Sequence, residues 1–237
     1  MKFSVIIPCY NEGKNIHALL KRIIPLTERY DLEFILVENG SSDRSREIFC
    51  SEIDGKYTGV QTVYVPENKG YGFGIQQGLK AAGGEYTGWI HADMQIMPQE
   101  LEKFFAYIMK HDGKKLFLKS RRINRSRSEL LFTIGQSICS TVLFRTRLTD
   151  IGAVPVLFRR DLLEYFEIDD MPDDFSIDLY VYLQAKKAGY IEKRTSVRVF
   201  QRQKGTSSWN HGFYSRIRQS RVIVKDSLKI KRGVKVI

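Results

Sequence analysis

The stretch GWIHADMQIMP, residues 88–98, holds the side chains whose types and spacing most plainly suit chemistry. Asp93 and, two positions on, Gln95 can present two oxygen ligands on the same side of an extended turn. A hard cation such as Mg²⁺ or Mn²⁺ takes such ligands and completes its shell with phosphate oxygens and water. Turns that hold a cation against a diphosphate usually carry two carboxylates separated by one residue. Here the second is Asp93, and the place of the first is taken by His91. The plainer alternative is that Asp93 caps a helix starting near Pro98.

A second stretch, NKGYGFGIQQG, places Gly70, Gly72, Gly74 and Gly78 between a predicted strand and a predicted helix. Glycines there permit either close backbone approach to a ligand or a tight turn. Their spacing fits neither the dinucleotide G-x-G-x-x-G pattern nor the G-x-x-x-x-G-K-[ST] phosphate loop. His17, His91, His111 and His211 show no metal-binding spacing, and no nucleophile triad can be assembled. Cys9 lies in an apolar run and reads as core.

The elements that must position these groups alternate regularly over the first hundred residues. FSVIIPCY is a strand; Ile16, Leu19, Leu20, Ile23 and Ile24 follow at the spacing of an amphipathic helix, expected to end near Pro25. LEFILVENG, VQTVYV and EYTGWIHAD read as further strands, with SREIFCSEI and GFGIQQGLKAA as the helices between them. That alternation predicts an α/β fold with a parallel, doubly wound sheet, whose ligands bind at the carboxyl ends of the strands. Tyr10, Glu12, Glu38, Asn39, Asp43, His91 and Asp93 all fall at those ends. In the second half, PQELEKFFAYIMKH predicts a helix and LFLKSRR a strand. ELLFTIGQSICSTVLF predicts a largely buried helix and VPVLF a short strand. DDFSIDLYVYLQAKKAGY predicts a helix started by Ser176 or Asp174, and RTSVRVFQRQ a last strand.

Composition bounds the function classes. The 237 residues, 43% hydrophobic and 12% aromatic, describe a globular chain with a sizeable core. The N-terminal apolar run is too short for a signal peptide, and no apolar stretch reaches the ~20 residues of a membrane span. Three widely spaced cysteines, Cys9, Cys50 and Cys139, fit reduced thiols in a cytoplasmic protein. The formal charge of +11 favours polyanionic partners. It gathers in two clusters, one from Lys114 through Lys119 and Arg121 to Arg127, the other in the C-terminal tail. Either cluster can equally be solvated surface. Nucleic acid is excluded as the expected partner, because no helix-turn-helix, aromatic RNA-binding sheet motif or zinc spacing accompanies the charge.

Taken in order, VIIPCYNEGKNI, ILVENGSSDRS, NKGYGFGIQQGLKAAGGEY, HADMQ and RQKGTSS resemble the inverting nucleotide-sugar glycosyltransferases of the GT-A fold. The nearest branch is that of the dolichyl- and polyprenyl-phosphate sugar transferases. The resemblance covers roughly residues 1–210 as one GT-A domain, a mostly parallel central sheet flanked by helices, and leaves 211–237 as a basic helical tail.

The resemblance implies roles. Pro8, Tyr10 and Glu12 match the first-strand motif that holds the donor base and ribose. Glu38 and Asn39 stand where the family has two aspartates reading the base, and a Glu–Asn pair still accepts and donates hydrogen bonds there. Asp93 matches the acid that ligates Mg²⁺ or Mn²⁺, with Gln95 as companion. His91 and Ala92 line the same turn, where a neutral imidazole can bond to ribose, to a metal-bound water, or to Mn²⁺ itself. Arg202 lies in the element that contacts the diphosphate. Ser208 stands where related enzymes often carry a lysine, a missing charge that Lys204 or Arg121 would replace. Asp178 matches an acid of the acceptor region. It and Asp174 are the candidate general bases for a hydroxyl acceptor, with capping of the following helix the alternative for Asp174. The expected partners are a UDP- or GDP-type sugar donor, a lipid-phosphate or glycan acceptor, and an anionic membrane surface. The family often adds C-terminal transmembrane helices, and their absence here implies a cytoplasmic chain, either peripheral at the inner face of the membrane or soluble. The altered ENG and HAD segments also suit a degenerate domain that binds a nucleotide sugar without turnover.

Overall fold

The structure, a computed structural model, describes residues 1–124 and 127–200. Arg202, Lys204, Ser208 and the 211–237 tail lie outside the described residues. The chain runs β1 (Phe3–Cys9), α1 (Ile16–Arg29), β2 (Leu32–Asn39), α2 (Ser45–Ile48), β3 (Val60–Val65), α3 (Tyr71–Ala81) and β4 (Tyr86–Trp89). It continues with α4 (Leu101–Lys110), β5 (Leu116–Ile123), α5 (Arg127–Phe144), β6 (Val156–Arg159), α6 (Ile177–Lys187) and β7 (Ile191–Arg198). The strands form one sheet in the order β3-β2-β1-β4-β6-β5-β7.

Every residue of β1 and β2 is buried, as expected of parallel strands covered on both faces. Their side chains alternate between two apolar layers. Val5 and Ile7 pack with Leu19 and Ile23 of α1 and Phe104 and Phe105 of α4. Ile6 packs on the opposite face with Ile75 and Leu79 of α3 and Ile177 and Val181 of α6. The period of two thus places one helix pair on each side of the sheet. Gly78 belongs to that packing: a Cβ there would come within 2.4 Å of Ile6 Cγ2.

The sheet is mostly parallel, as expected, and its exception is β6, which is antiparallel to both β4 and β5. β4 and β6 approach so closely that a Cβ on Gly88 would lie 1.9 Å from the Val156 carbonyl oxygen. Strand direction is set by where the chain re-enters the sheet, and no local pattern encodes that.

Two sequence expectations about helices are corrected. Helix α1 does not stop at Pro25 but runs on to Arg29, with the proline inside it. Burial of Leu26 one residue later holds the last turn against the core, which outweighs the backbone hydrogen bond a proline forgoes. Helix α5 is not largely buried. Leu131 is 69% and Val142 73% exposed, while Thr133 and Ser140 are buried. Its apolar residues face outward, so apolar content predicted the helix and misjudged its environment.

Candidate functional site

Strands β1, β2 and β4 run parallel, so the segments after Cys9, Asn39 and Trp89 emerge along one edge of the sheet. The first two loops are clasped together. Asn11, at φ +56°, accepts hydrogen bonds through Oδ1 from the amides of Ser42 (2.8 Å) and Asp43 (3.2 Å). Asp43 returns the clasp, accepting from the amides of Gly13 (3.1 Å) and Ser45 (2.9 Å). Burial raises the Asp43 pKa, but the bonds from Ser45 and Gly13 outweigh it and leave the carboxyl below its ordinary value. Asn11 was not singled out by the sequence; its left-handed backbone, which asparagine tolerates, is the signal that would have found it.

Within this frame Pro8 is buried in β1 opposite Val37 of β2. Tyr10, just past the strand, is 44% exposed and free to meet a flat ligand. Glu12 turns the chain into α1: its carbonyl accepts from the Asn15 amide at 2.7 Å and its carboxylate from the Asn15 side chain. Glu38 is fully buried; its Oε1 accepts from the Ser41 amide at 2.7 Å, and Oε2 lies 3.8 Å from Arg46 Nη1. Asn39 donates through Nδ2 to the Gly70 carbonyl at 3.0 Å. Among the described residues, Glu38 Oε2 and Asn39 Oδ1 receive no hydrogen bond. Two buried acceptors at one strand end therefore stand without donors.

The glycines of the second stretch serve protein packing. A Cβ on Gly72 would lie 2.1 Å from the Pro172 carbonyl oxygen, and one on Gly70 2.3 Å from that of Asp173. The Phe73 amide donates to that Asp173 carbonyl at 3.1 Å. The first turn of α3 is thus pressed against the loop leading into α6. At Gly70 and Gly72 the close neighbour is a segment of the chain itself, which neither sequence reading of these glycines named.

After β4, Asp93 is 6% exposed and its Oδ1 accepts from the Gln95 amide at 3.0 Å, closing a turn over Met94 at φ +59°. The Gln95 carbonyl accepts from the Phe200 amide at 2.8 Å, which ties the turn to the chain beyond β7. Ala92 is buried. His91 Nε2 lies 2.9 Å from the Tyr71 hydroxyl, and the two rings meet edge to face at 5.2 Å. Tyr71 in turn stacks on Phe175 at 4.7 Å. Burial, and then the nearby carboxylates of Asp178 and Asp93, push the Tyr71 phenol well above its ordinary pKa. One hydroxyl from the start of α3 therefore senses both acids, although 85 residues separate them in the chain (178 − 93).

Asp178, 4% exposed in the first turn of α6, accepts from Trp89 Nε1 at 3.0 Å. Burial raises its pKa, opposed by the charges of Lys119 and His91. Lys119 was grouped by the sequence with the basic surface cluster; it is instead 1% exposed, a second correction of environment. Its ammonium donates to the Ile151 carbonyl at 2.6 Å and sits over the Tyr182 ring, and burial draws its pKa down to about 8. Coverage along β5 explains it: the strand is buried from Leu116 to Ser120, where β6 pairs with it, and Arg121, on the same face two residues on, lies past that cover and stands exposed. Arg121 is separated from the Asp93 turn by β6. Asp174 is exposed and its carboxylate accepts from the Ser176 amide at 2.8 Å, in the turn that leads into α6; Ser176 is the N-cap residue of that helix. Hydrogen bonds join Trp89 to Asp178, Tyr71 to His91, and Asn39 to the Gly70 carbonyl next to Tyr71; Tyr71 and Trp89 were not singled out by the sequence.

Among the described residues no group of three or more His, Cys, Asp or Glu side chains forms a ready metal cage. The Asp93 carboxylate and the neighbouring Gln95 still form a hard oxygen donor set, which suits Mg²⁺ or Mn²⁺ if phosphate oxygens complete the shell.

The chain is 28% identical over 169 residues to an undecaprenyl-phosphate 4-deoxy-4-formamido-L-arabinose transferase of Photorhabdus laumondii, covering 69% of this chain and 50% of that protein. It is 31% identical over 129 residues to a dolichol-phosphate mannosyltransferase of Pyrococcus furiosus, covering 54% of this chain and 36% of that protein. The chain thus spans half the length, or less, of these curated relatives. Among solved structures, glucosyl-3-phosphoglycerate synthase of Mycobacterium tuberculosis, in complex with Mn²⁺ and UDP, superposes with a TM-score of 0.71 at 14% identity. That match covers 98% of this chain and 79% of the other, and it shows the GT-A fold. Residues 4–153 match glycosyl transferase family 2, and the chain belongs to that family.

Proposed function

We propose that this chain moves a sugar from a nucleoside-diphosphate sugar to a lipid-phosphate or glycan acceptor, with inversion at the anomeric carbon. The observation that carries the reading is the pair of contacts at the end of β4: Trp89 donates to Asp178 of α6 at 3.0 Å, and His91, two residues before Asp93, meets the Tyr71 hydroxyl at 2.9 Å. An acid for the donor side and a second acid for the acceptor side are what an in-line displacement to a hydroxyl acceptor needs.

The donor base would deliver its N–H groups to the end of β2, where Glu38 Oε2 and Asn39 Oδ1 are the buried acceptors in want of donors. Exposed Tyr10 would cover the ring face. Asp93 and Gln95 would hold the divalent cation, which when bound neutralises charge on the departing diphosphate. Arg202 is the proposed protein cation for the same diphosphate. The acceptor oxygen bonds to the anomeric carbon as the carbon–oxygen bond to the diphosphate breaks, and the electron pair leaves with the nucleotide. With a hydroxyl acceptor the proton passes to Asp178, whose burial-raised pKa makes it a better base than an exposed aspartate. A phosphate acceptor is already ionised and asks no base. The names of the two curated relatives favour a polyprenyl-phosphate acceptor.

A second reading, a domain that binds the donor without turnover, draws on His91: its Nε2 is engaged by Tyr71, and the turn holds one carboxylate in place of two. Calorimetric titration of the purified chain with UDP and with GDP, each with and without Mn²⁺, tests the site directly. Mn²⁺-dependent binding of one nucleotide, abolished by Asp93→Asn, is the expected outcome. Binding of neither nucleotide overturns both readings, and donor binding without any sugar release or transfer favours the second.

A further inference from the structure

We propose that Lys119 is a positioning residue for Asp178: its buried ammonium, held by the neighbours that flank the acid, is the counter-charge against which that carboxylate is set. The inference deepens the sugar-transfer reading and rests on it for what Asp178 does, which is to take the proton of a hydroxyl acceptor.

Lys119 is 1% exposed and stands outside every step of the proposed transfer. Burying an ammonium costs free energy that one hydrogen bond to a neutral carbonyl does not repay, so a carboxylate is expected nearby. Two contacts lead to Asp178. The ammonium donates to the Ile151 carbonyl at 2.6 Å, and on the next residue, Gly152, a Cβ would stand 3.9 Å from Asp178 Oδ2. The ammonium also lies 5.0 Å from the centre of the Tyr182 ring, and Tyr182 follows Asp178 by four residues, on the same face of α6. The segment between α5 and β6 and one face of α6 thus each meet both Lys119 and Asp178.

The other charges around the pair are already matched. Arg122 of β5 pairs with Asp150, and Arg194 of β7 with Glu192, which also receives Lys186. His91, past the end of β4, meets the Tyr71 hydroxyl of α3. Asp178 Oδ1 accepts from Trp89 Nε1 of β4, a neutral donor that supplies no charge. Lys119 and Asp178 are therefore the cation and the anion left to balance each other. The electrostatics agree in sign. Burial raises the Asp178 pKa, and Lys119 is foremost among the charges that lower it. Burial draws the Lys119 pKa down to about 8, and Asp178 is foremost among the charges that raise it. Below about 8 the ammonium keeps its charge, and opposite charge favours the ionised carboxylate, the form that can accept a proton.

The test reads the acid through the indole that touches it. The chain holds two tryptophans, Trp89 and Trp209, so a ¹⁵N-labelled sample gives two indole N–H resonances, and Trp209→Phe identifies that of Trp89. The Trp89 resonance moves as Asp178 titrates. In Lys119→Met, which removes the charge and keeps a long side chain, its midpoint is expected to rise by about one pH unit or more. In Lys119→Arg, which keeps the charge, it is expected to rise less. The reciprocal measurement leaves Lys119 in place: in Asp178→Asn the Cε resonance of Lys119 is expected to titrate at lower pH than in the parent, because coupling between two sites is mutual. An unchanged midpoint in either measurement overturns the proposal, and where Lys119→Met does not fold, Asp178→Asn decides alone. An equal rise in Lys119→Met and Lys119→Arg also overturns it, since Lys119 then acts by packing. Titration of the parent with UDP and GDP keeps the two proposals apart. Nucleotide binding without the coupling strikes the role of Lys119 and leaves the transferase reading standing. Coupling without nucleotide binding strikes that reading, and with it the duty of Asp178, and leaves the pair.

Discussion

His91 decides how strongly the turn after β4 can hold a cation. An imidazole in hydrogen-bond contact with the Tyr71 hydroxyl contributes no negative charge, so Asp93 is the acid of that turn. Replacing His91 by Asp restores a second carboxylate and should raise Mn²⁺ affinity of the UDP-bound protein about tenfold, because affinity for hard cations follows ligand charge. Calorimetry with Mn²⁺ in saturating UDP checks this; unchanged affinity would mean that position 91 does not face the cation. The acids themselves were legible in the sequence, since Asp93 and Asp178 sit in segments with a recognisable order. Their partners were not. Tyr71 looked like one aromatic residue in a glycine-rich stretch, and Lys119 like one more surface cation, because the contact that gives each its role comes from a distant segment.

Among the elements, α3 has the least room for change. Gly72 lets the first turn of that helix lie against the Pro172 and Asp174 carbonyl oxygens, 2.1 and 2.7 Å from where a Cβ would stand. Neither oxygen belongs to a flexible side-chain end, so Gly72→Ala must displace the loop into α6. The expected cost is about 2 kcal/mol, read as a lower urea midpoint, together with weaker seating of Asp178. An unchanged midpoint would show that the loop gives freely. Strands β1 and β2 were readable because mostly apolar runs between turn residues leave little choice, and β3 because its β-branched and aromatic residues suit a strand. Helix α5 was misjudged for a physical reason: counting apolar residues gives the amount of apolar surface and says nothing about whether protein or something else covers it. Pro25 misled in the opposite sense, since a local breaker gave way to the burial of Leu26.

At the scale of the whole molecule, stability should carry the mark of the buried Lys119. Its folded pKa, about 8, lies below the ordinary 10.5, so in this range the unfolded chain binds more protons than the folded one. The corresponding stability is present above pH 10.5 and is lost as pH falls through 8. Asp178 has the opposite sign: its raised pKa favours the folded state at low pH, and that contribution is lost as pH climbs through the folded value. Denaturation of the parent and of Lys119→Met at pH 8 and pH 10 should show the parent gaining stability relative to the variant at the higher pH. Parallel curves would mean that Lys119 is hydrated.

The reversed strand β6 has a consequence for the order in which the molecule is made. Residues 1–90 close β1, β2, β3 and β4 through neighbouring crossovers of modest loop length. Trp89 meets Val156 only across a gap of 67 residues (156 − 89), and Asp178 only later still. Emerging from a ribosome, the β1–β4 half can assemble while Asp178 is still unmade. On the sugar-transfer reading proposed above, the nascent chain would gain its donor site before its acceptor-side acid.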